Sequence, residues 1–268
     1  MSKQNGGARL RHDRLVVIAL LAAVTALAWV YNVHQAHEMA AMEAGMRRDM
    51  NMSMNGMAPS WSPLDIALML AMWSVMMAAM MVPGSAPMIA AFATINRRRR
   101  ARGAPYVATS GFLAGYLLVW AAFSALATAM QWLLQASGLL TTMMQSASYL
   151  FSAALFLAAG AYQFSPLKAH CLSLCRSPDG FILSEWRDGA AGALVMGLRH
   201  GLFCAGCCIG LMLLLFAVAV MDLRWVAALA VLVTAEKLLP HPQLWRAGIG
   251  GALIAAGAAF ALVGGLST

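Results

Sequence analysis

The strongest candidate for chemistry in this sequence is a stripe of soft ligands inside an apolar run. His200, Cys204, Cys207 and Cys208 follow one another at i, i+4, i+7 and i+8. In a helix this spacing places all four side chains on one face. A lone buried cysteine is usually an inert apolar residue, but three cysteines within five residues, one turn after a histidine, are not typical of packing. Because thiolates select soft ions such as Cu(I), the stripe predicts a metal site that faces other helices.

A second group of the same residue types precedes the stripe in a polar segment. Cys171 and Cys175 are four residues apart and follow His170, so these side chains converge if the segment is locally helical. The spacing alone is weak evidence, since zinc loops usually use tighter cysteine pairs. The expectation that this group joins the metal site depends more on the topology, which brings it close to the stripe.

Methionine thioethers are also soft ligands, and the chain has 21 methionines. Seven of them lie within the 19 residues from Met39 to Met57, among them Met50, Met52 and Met54. This segment is too polar to bury so many methionines, which favours metal capture. The alternative is a flexible linker or an adaptable binding surface.

A further methionine stripe lies in the apolar run that follows. Met72, Met76 and Met80 have helical spacing and share one face. Packing or lipid contact is the usual role of such a stripe, but here it connects the methionine-rich segment with the cysteines, so we interpret it as a relay of ligands. Pro83 and Pro87 are expected to kink or break this helix, so that freed carbonyls line a cavity.

Composition places these groups in a membrane protein. Hydrophobic residues make up 62% of the 268 residues and charged residues only 10%, and the mean hydropathy is +0.73. Apolar runs of about 20 residues, enough to cross the hydrocarbon core of a bilayer, recur along the chain. The predicted spans are 15–33, 64–94, 107–134, 146–164, 192–220, 223–239 and 244–263. The predicted fold class is all-α, a polytopic transmembrane helix bundle of about seven spans, with a six-span core and an N-terminal anchor helix.

The net charge of +8 gives the orientation of these spans. Basic residues cluster beside the apolar runs, as positive residues do on the cytoplasmic side of membrane proteins, so they do not indicate nucleic-acid binding. The pattern predicts a cytoplasmic N-terminus and an extracytoplasmic C-terminus; a cleaved signal is the alternative for the first span. Both cysteine groups then face the reducing cytoplasm, where thiols stay free.

Three regions follow from this orientation. Residues 1–34 form a cytoplasmic basic N-terminus and anchor helix, residues 35–63 a methionine-rich extracytoplasmic loop, and residues 64–268 a transmembrane metal-binding helical domain. Charged residues inside a span are costly and face a partner or a pathway. We therefore expect Glu236 to pair with Arg199 or Lys237, either as a structural pair or to balance charge at the metal site.

Four ordered runs resemble a bacterial family of predicted metal-binding integral membrane proteins, domain of unknown function family 2182, which is sometimes labelled copper chaperone. The runs are Trp73–Pro83, Ala161–Pro178, Gly201–Cys208 and Ala235–Lys237. The resemblance extends from about residue 60 to the C-terminus and implies metal binding. Ile209 departs from the family pattern, which has an aromatic residue after the second vicinal cysteine.

The function that these features predict is the handling of copper(I) in a bacterial inner membrane, by capture, transfer or transport. The chain is not expected to be an enzyme, and no catalytic residue is predicted. The expected partners are the metal ion, the lipid bilayer and a soluble metallochaperone or cuproprotein acceptor, without nucleic acid. Two alternatives stay open: a membrane thiol–disulfide oxidoreductase that uses the two cysteine groups, and a membrane protein with a structural zinc site.

Overall fold

The computed structural model describes residues 18–38, 41, 61–103, 109–141, 146–218 and 222–266. All regular elements within these ranges are helices, apart from one isolated bridge between Leu140 and Ser146. The all-α prediction is therefore confirmed. The methionine-rich segment with Met50, Met52 and Met54 lies outside the described residues. The helices are α1 Ile18–Glu38, α2 Pro63–Arg100, α3 Thr109–Ala136, α4 Tyr149–Gln163, α5 Pro166–Arg176, α6 Pro178–Glu185, α7 Gly189–Leu213, α8 Leu215–Val218, α9 Leu223–Leu238 and α10 Pro242–Leu266.

Five helical stretches in the described part of the chain are long and apolar enough to cross a membrane, where the sequence predicted about seven spans. A sixth is reached if α4 and α5, which meet at a bend of 64°, are counted as one span. The predicted fourth span, 146–164, contains the 15-residue helix α4, and α5 follows it after the bend. The helix at the predicted sixth span, α9, has 16 residues, fewer than the roughly 20 that cross a typical bilayer.

Helix α2 begins with a capping box and continues through both of its internal prolines. The Ser62 side chain accepts a hydrogen bond from the Asp65 amide, and the Asp65 carboxylate accepts one from the Ser62 amide, which satisfies free donors of the first turn. Pro83 and Pro87 lie inside the helix without interrupting it, so the expected break is wrong. Close to these prolines, the Tyr116 hydroxyl of α3 donates to the Met81 carbonyl at 3.1 Å and so joins α3 to this part of α2.

Glycines set the close approach between α3 and α7. A Cβ atom on Gly115 would lie 2.2 Å from the Leu194 carbonyl oxygen, and a Cβ atom on Gly197 would lie 2.0 Å from the Phe112 carbonyl oxygen. The two helices therefore touch backbone to backbone, as small residues permit in membrane bundles. This contact turns the cysteine face of α7 toward the interior, and Cys204, Cys207 and Cys208 are buried. The expectation that the stripe faces the bundle is confirmed.

A polar contact joins the end of α2 to the start of α7. Arg99 binds Asp188 at 3.0 Å and lies over the Trp186 ring at 4.6 Å, while the Trp186 indole donates to the same carboxylate at 2.8 Å. The hydrogen bond from Trp186, with the charge of Arg99, lowers the pKa of Asp188 below its ordinary value. Because Asp188 immediately precedes α7, this contact fixes the position of α7 beside the last turn of α2.

Replacing Gly197 with alanine should destabilise the protein, because the added methyl group collides with backbone of α3 that cannot rotate away. We expect a loss of about 3 kcal/mol, near the upper end for overpacking, measured as a lower thermal midpoint in detergent. The control is Gly251→Ala on α10, where no atom lies within 4 Å of the added Cβ. Equal midpoints for the two variants would contradict the backbone contact.

Candidate metal centre

Three helices, α2, α5 and α7, bring sulfur atoms together in the interior of the bundle. All five cysteines are free and buried, three on α7 and two on α5, and they share one core cluster with the methionines of α2. We call the five cysteines the thiol centre: Cys171, Cys175, Cys204, Cys207 and Cys208. Helices α3 and α9 contribute polar groups to its surroundings.

Cys204 lies at the middle of this centre. Its sulfur is 3.0 Å from the Lys237 ammonium nitrogen and 3.2 Å from the Tyr116 hydroxyl. Cys175, Cys207 and Cys208 pack in the same core cluster as Cys204. A buried ammonium beside this sulfur stabilises the negative form of the thiol, because opposite charges attract strongly where water is excluded. The Lys237 ammonium is therefore placed to offset the charge of a Cys204 thiolate, the form in which cysteine binds metals.

Cys207 and Cys208 bind back to their own helix. Both thiols donate to the Cys204 carbonyl oxygen, at 3.1 Å from Cys207 and 3.0 Å from Cys208. The Cys208 sulfur is also 4.0 Å from the Met81 thioether sulfur of α2. A thiol and a thioether from different helices thus face each other directly beside Cys204.

The segment with Cys171 and Cys175 is a helix, α5, and not the polar loop that the sequence indicated. Ser165 caps its first turn and Pro166 occupies the first helical position, an arrangement that favours helix initiation. Both thiols are buried: Cys171 lies against Gly206, where a Cβ atom would be 2.8 Å from its sulfur, and Cys175 belongs to the same core cluster as Cys204 and Cys207. The helical convergence of these two cysteines is as the spacing predicted.

The two predicted histidine ligands have different surroundings. His170 is exposed, with its ring edge-on to Phe203, so it lies apart from the thiol centre. His200 is buried among the rings of Phe112, Tyr116 and Phe181. Neither of its ring nitrogens has a hydrogen-bond partner among the described residues. Of the two, His200 alone lies in the interior with a free lone pair near Cys204.

The methionine stripe of α2 extends through the core toward the thiol centre. Met72, Met76 and Met80 are buried, and Met81 continues the stripe to Cys208. Farther from the centre, the Met69 sulfur accepts a hydrogen bond from the buried Gln131 amide of α3 at 3.6 Å. A buried series of polar side chains on α3 follows the same interface with α2. Its members are Tyr116, Ser124, Thr128 and Gln131.

The charged residues near the centre pair differently from the prediction. Glu236 binds Lys168 at 2.7 Å, with both side chains almost fully buried. Arg199 instead pairs with Glu185 near the start of α7, and Lys237 contacts sulfur. The predicted pairing of Glu236 with Arg199 or Lys237 is therefore wrong. The reason is that Glu236 and Lys237, adjacent in α9, point to different neighbours, Glu236 toward α5 and Lys237 toward α2 and α7.

The arrangement is one of close sulfur pairs and not of a closed cage. In the part of the chain that the structure describes, no three or more His, Cys, Asp or Glu side chains are arranged to hold a metal ion. Methionine is not one of these four residue types. The neighbouring sulfurs of Cys208 and Met81 are therefore a further pair of possible ligands. The donor atoms that converge here are soft sulfurs, which suit a soft ion of low coordination number.

Comparison with known families identifies the chain's relatives. A family model described as PpoB2, copper chaperone, matches residues 70–260. The chain belongs to this copper chaperone family. No curated protein and no solved structure matches it. The match covers α2 to α10, including every helix that contributes to the thiol centre, and it supports the predicted association with copper. A chaperone carries its ion and does not transform it, which agrees with the expectation that the chain is not an enzyme.

Sequence reasoning missed three residues that contact the thiol centre. Met81 lies in the methionine-rich run but one position away from the predicted stripe, and Tyr116 is an ordinary aromatic residue in an apolar helix. Lys237 was identified as a charged residue in a span, but its contact with the Cys204 sulfur was not predicted. The sequence indicates that Lys237 needs a partner, because burying an ammonium group in a membrane span is costly. The sequence does not indicate which sulfur is that partner, because this depends on how α7 packs against α9.

The buried pair beside the centre gives a test of its packing. Lys168→Met should destabilise the protein by about 3–5 kcal/mol, because it leaves the Glu236 carboxylate buried without a partner. The double variant Lys168→Met/Glu236→Gln should recover most of this loss, since it removes both charges. Unfolding in detergent measures both effects. If the double variant is as unstable as the single one, the pair does not stabilise the bundle in this way.

Proposed function

We propose that this protein binds copper as Cu(I) inside a bacterial inner membrane and transfers it, with the thiol centre as the main binding site. The observation that supports this most strongly is the group of sulfurs around Cys204. Its own sulfur lies beside Lys237 at 3.0 Å, and the Cys208 and Met81 sulfurs lie 4.0 Å apart next to it. Membership of a copper chaperone family agrees with this donor set.

The chemistry of the donors favours Cu(I) over a harder ion. Thiolate and thioether ligands select Cu(I), whereas carboxylates and carbonyls select hard ions. Structural zinc sites are closed by four ligands in tetrahedral geometry, and the centre offers close pairs of sulfurs instead. Binding requires the thiols of Cys207 or Cys208 to leave the Cys204 carbonyl oxygen and lose their protons, so metal affinity should rise with pH. In this proposal Cys204, Cys208 and Met81 hold the ion, while Cys171, Cys175, Cys207 and His200 offer further ligands close by.

The buried methionines of α2 are the proposed route to this site. Met72, Met76 and Met80 lie in one core cluster with the cysteines, and Met81 continues the series to Cys208. Neutral thioethers bind Cu(I) more weakly than thiolates do, so an ion moves along them toward the cysteines without being trapped. The facing hydroxyl and amide groups of α3 keep this interface partly polar.

The remaining parts of the proposal come from the sequence. In the orientation that the charge pattern predicts, the segment with Met50, Met52 and Met54 collects the ion on the extracytoplasmic side. The thiol centre then lies toward the cytoplasmic side, where a soluble metallochaperone or a cuproprotein accepts the ion. Tethered weak ligands raise the local concentration of an ion without forming its final site, which is the role proposed for this segment.

The cysteines are tested by a conservative double replacement. Cys204→Ser/Cys208→Ser should lose most of the bound Cu(I), because serine keeps the size of the side chain but offers a hard oxygen. Metal content of the purified protein measures this, with helix content and elution volume as controls for folding. Unchanged copper in the folded double variant would contradict the site. Zinc at stoichiometric amounts in place of copper would favour the structural zinc alternative, and a thiol–disulfide exchange activity without bound metal would favour the oxidoreductase.

The thioether of Met81 is tested against a second buried methionine of the same helix. Met81→Leu should weaken Cu(I) binding about tenfold, the change that follows from losing roughly 1.4 kcal/mol of ligand interaction. Met88→Leu is the matched control, because Met88 is equally buried but packs in a separate cluster without cysteines. A competition titration against a Cu(I) chelator measures both variants. Equal affinities would remove Met81 from the site.

A further inference from the structure

Lys237 is a buried cation whose charge is not balanced by a carboxylate. Its side chain is 6% exposed, and no Asp or Glu among the described residues forms an ion pair with it. The adjacent Glu236 is bound to Lys168 at 2.7 Å. The Cys204 sulfur at 3.0 Å is therefore the group that can offset the charge of Lys237. A net charge left in a low-dielectric interior is costly, so the centre and Lys237 must be treated as one electrostatic unit.

The position of Lys237 is built into the bundle. Its nitrogen lies between the Cys204 sulfur at 3.0 Å and the Met81 sulfur at 4.0 Å, which are two of the proposed copper ligands. The lysine stem passes over Gly84 of α2, where a Cβ atom would lie 3.1 Å from the lysine Cδ and 3.5 Å from its nitrogen. Any larger residue at position 84 would press on the stem, so the glycine leaves room for the lysine to reach the sulfurs.

Charge counting shows which ions suit this unit. A monovalent ion held by two thiolates forms a complex with one net negative charge, which the ammonium group neutralises. A divalent ion held by two thiolates forms a neutral complex, and the ammonium then stays as an uncompensated buried charge. A third thiolate would remove this difference, so the preference requires that two thiolates hold the ion. Among the described residues, no group of three or more His, Cys, Asp or Glu side chains is placed to hold a metal ion.

We propose that Lys237 is a selectivity residue, which makes the thiol centre prefer a soft monovalent cation over a divalent one. This inference rests on the proposed binding of Cu(I) at the same centre. Lys237 acts as a positioned counter-charge and does not bind the ion itself. Its effect is largest for the ion whose complex is negative, because two unit charges a few ångströms apart interact by several kcal/mol at the effective dielectric of a protein, roughly 20.

The test compares monovalent and divalent ions on the full-length protein in detergent. Affinities for Cu(I), Ag(I), Zn(II) and Cd(II) are measured by competition with chelators for the wild type, Lys237→Gln and Lys237→Arg. Glutamine keeps a hydrogen-bond donor near Cys204 but removes the charge, whereas arginine keeps the charge. Lys237→Gln should lower the ratio of monovalent to divalent affinity by about tenfold or more. In Lys237→Arg, the logarithm of this ratio should stay above half of its wild-type value.

The outcomes separate this inference from the proposed function. If the wild type binds neither Cu(I) nor Ag(I), the proposed function is wrong. If the wild type binds them and Lys237→Gln changes all four affinities by the same factor, or none of them, the selectivity role of Lys237 is wrong while copper binding stands. Loss of preference in Lys237→Arg equal to that in Lys237→Gln also overturns it, because then shape and not charge is decisive.

A second variant keeps the test valid if Lys237→Gln does not fold. Gly84→Ala keeps the lysine charge, but its added methyl group displaces the lysine side chain from the sulfurs. Because the interaction of two charges weakens with distance, this variant should lower the same affinity ratio by a smaller factor, about threefold. Gly251→Ala is the control, because no atom lies within 4 Å of its added Cβ. An affinity ratio in folded Gly84→Ala equal to that of Gly251→Ala would overturn the proposed role of the Lys237 position.

Discussion

The contact between the Lys237 ammonium and the Cys204 sulfur, 3.0 Å long and inside the bundle, is the interaction on which the site depends. A buried ammonium without a nearby negative group is unfavourable by several kcal/mol, so the fold must hold a sulfur against it. Cys204 satisfies that requirement, and the same contact favours the thiolate that a soft metal needs. The neighbouring Lys168–Glu236 pair shows that the other buried charge of α9, the Glu236 carboxylate, is balanced independently.

The helix packing follows from this requirement. The close contacts at Gly115 and Gly197 hold α7 against α3, which places Tyr116 of α3 beside the Cys204 sulfur. Lys237 reaches the same sulfur from α9. Helix α5 approaches α7 at Gly206 and adds Cys171 and Cys175. Each close approach places a polar or sulfur-bearing side chain where a bulkier residue would have kept the helices apart. The small residues thus have a role in the chemistry through the distances that they allow.

Much of this could be predicted from the sequence, because it depends on local periodicity. The helical class, the shared face of Cys204, Cys207 and Cys208, and the convergence of Cys171 with Cys175 follow from spacing along one helix. The partners of Glu236 and Lys237 could not be predicted, since adjacent residues on a helix face different neighbours and only the packing determines which. The described residues contain five helices of spanning length, or six if α4 and α5 form one span, against about seven predicted spans, because hydropathy does not reveal the bend after α4 or the shortness of α9.

A carrier of copper must hold its ion and also release it, and the composition of the proposed site suits both. A cage of three or four thiolates would bind Cu(I) tightly and carry a large negative charge into the membrane. A pair of thiolates with one thioether and a fixed ammonium gives a neutral unit, and each sulfur can be replaced by a ligand of an incoming partner without leaving a large uncompensated charge. The buried thioethers of α2 differ from this unit, because a Cu(I) ion held by neutral ligands alone keeps its single positive charge. On the proposed route, charge balance is therefore reached only where the ion arrives at the thiolates beside Lys237, and this balance, more than the strength of any single bond to sulfur, makes the thiol centre the proposed end of the route.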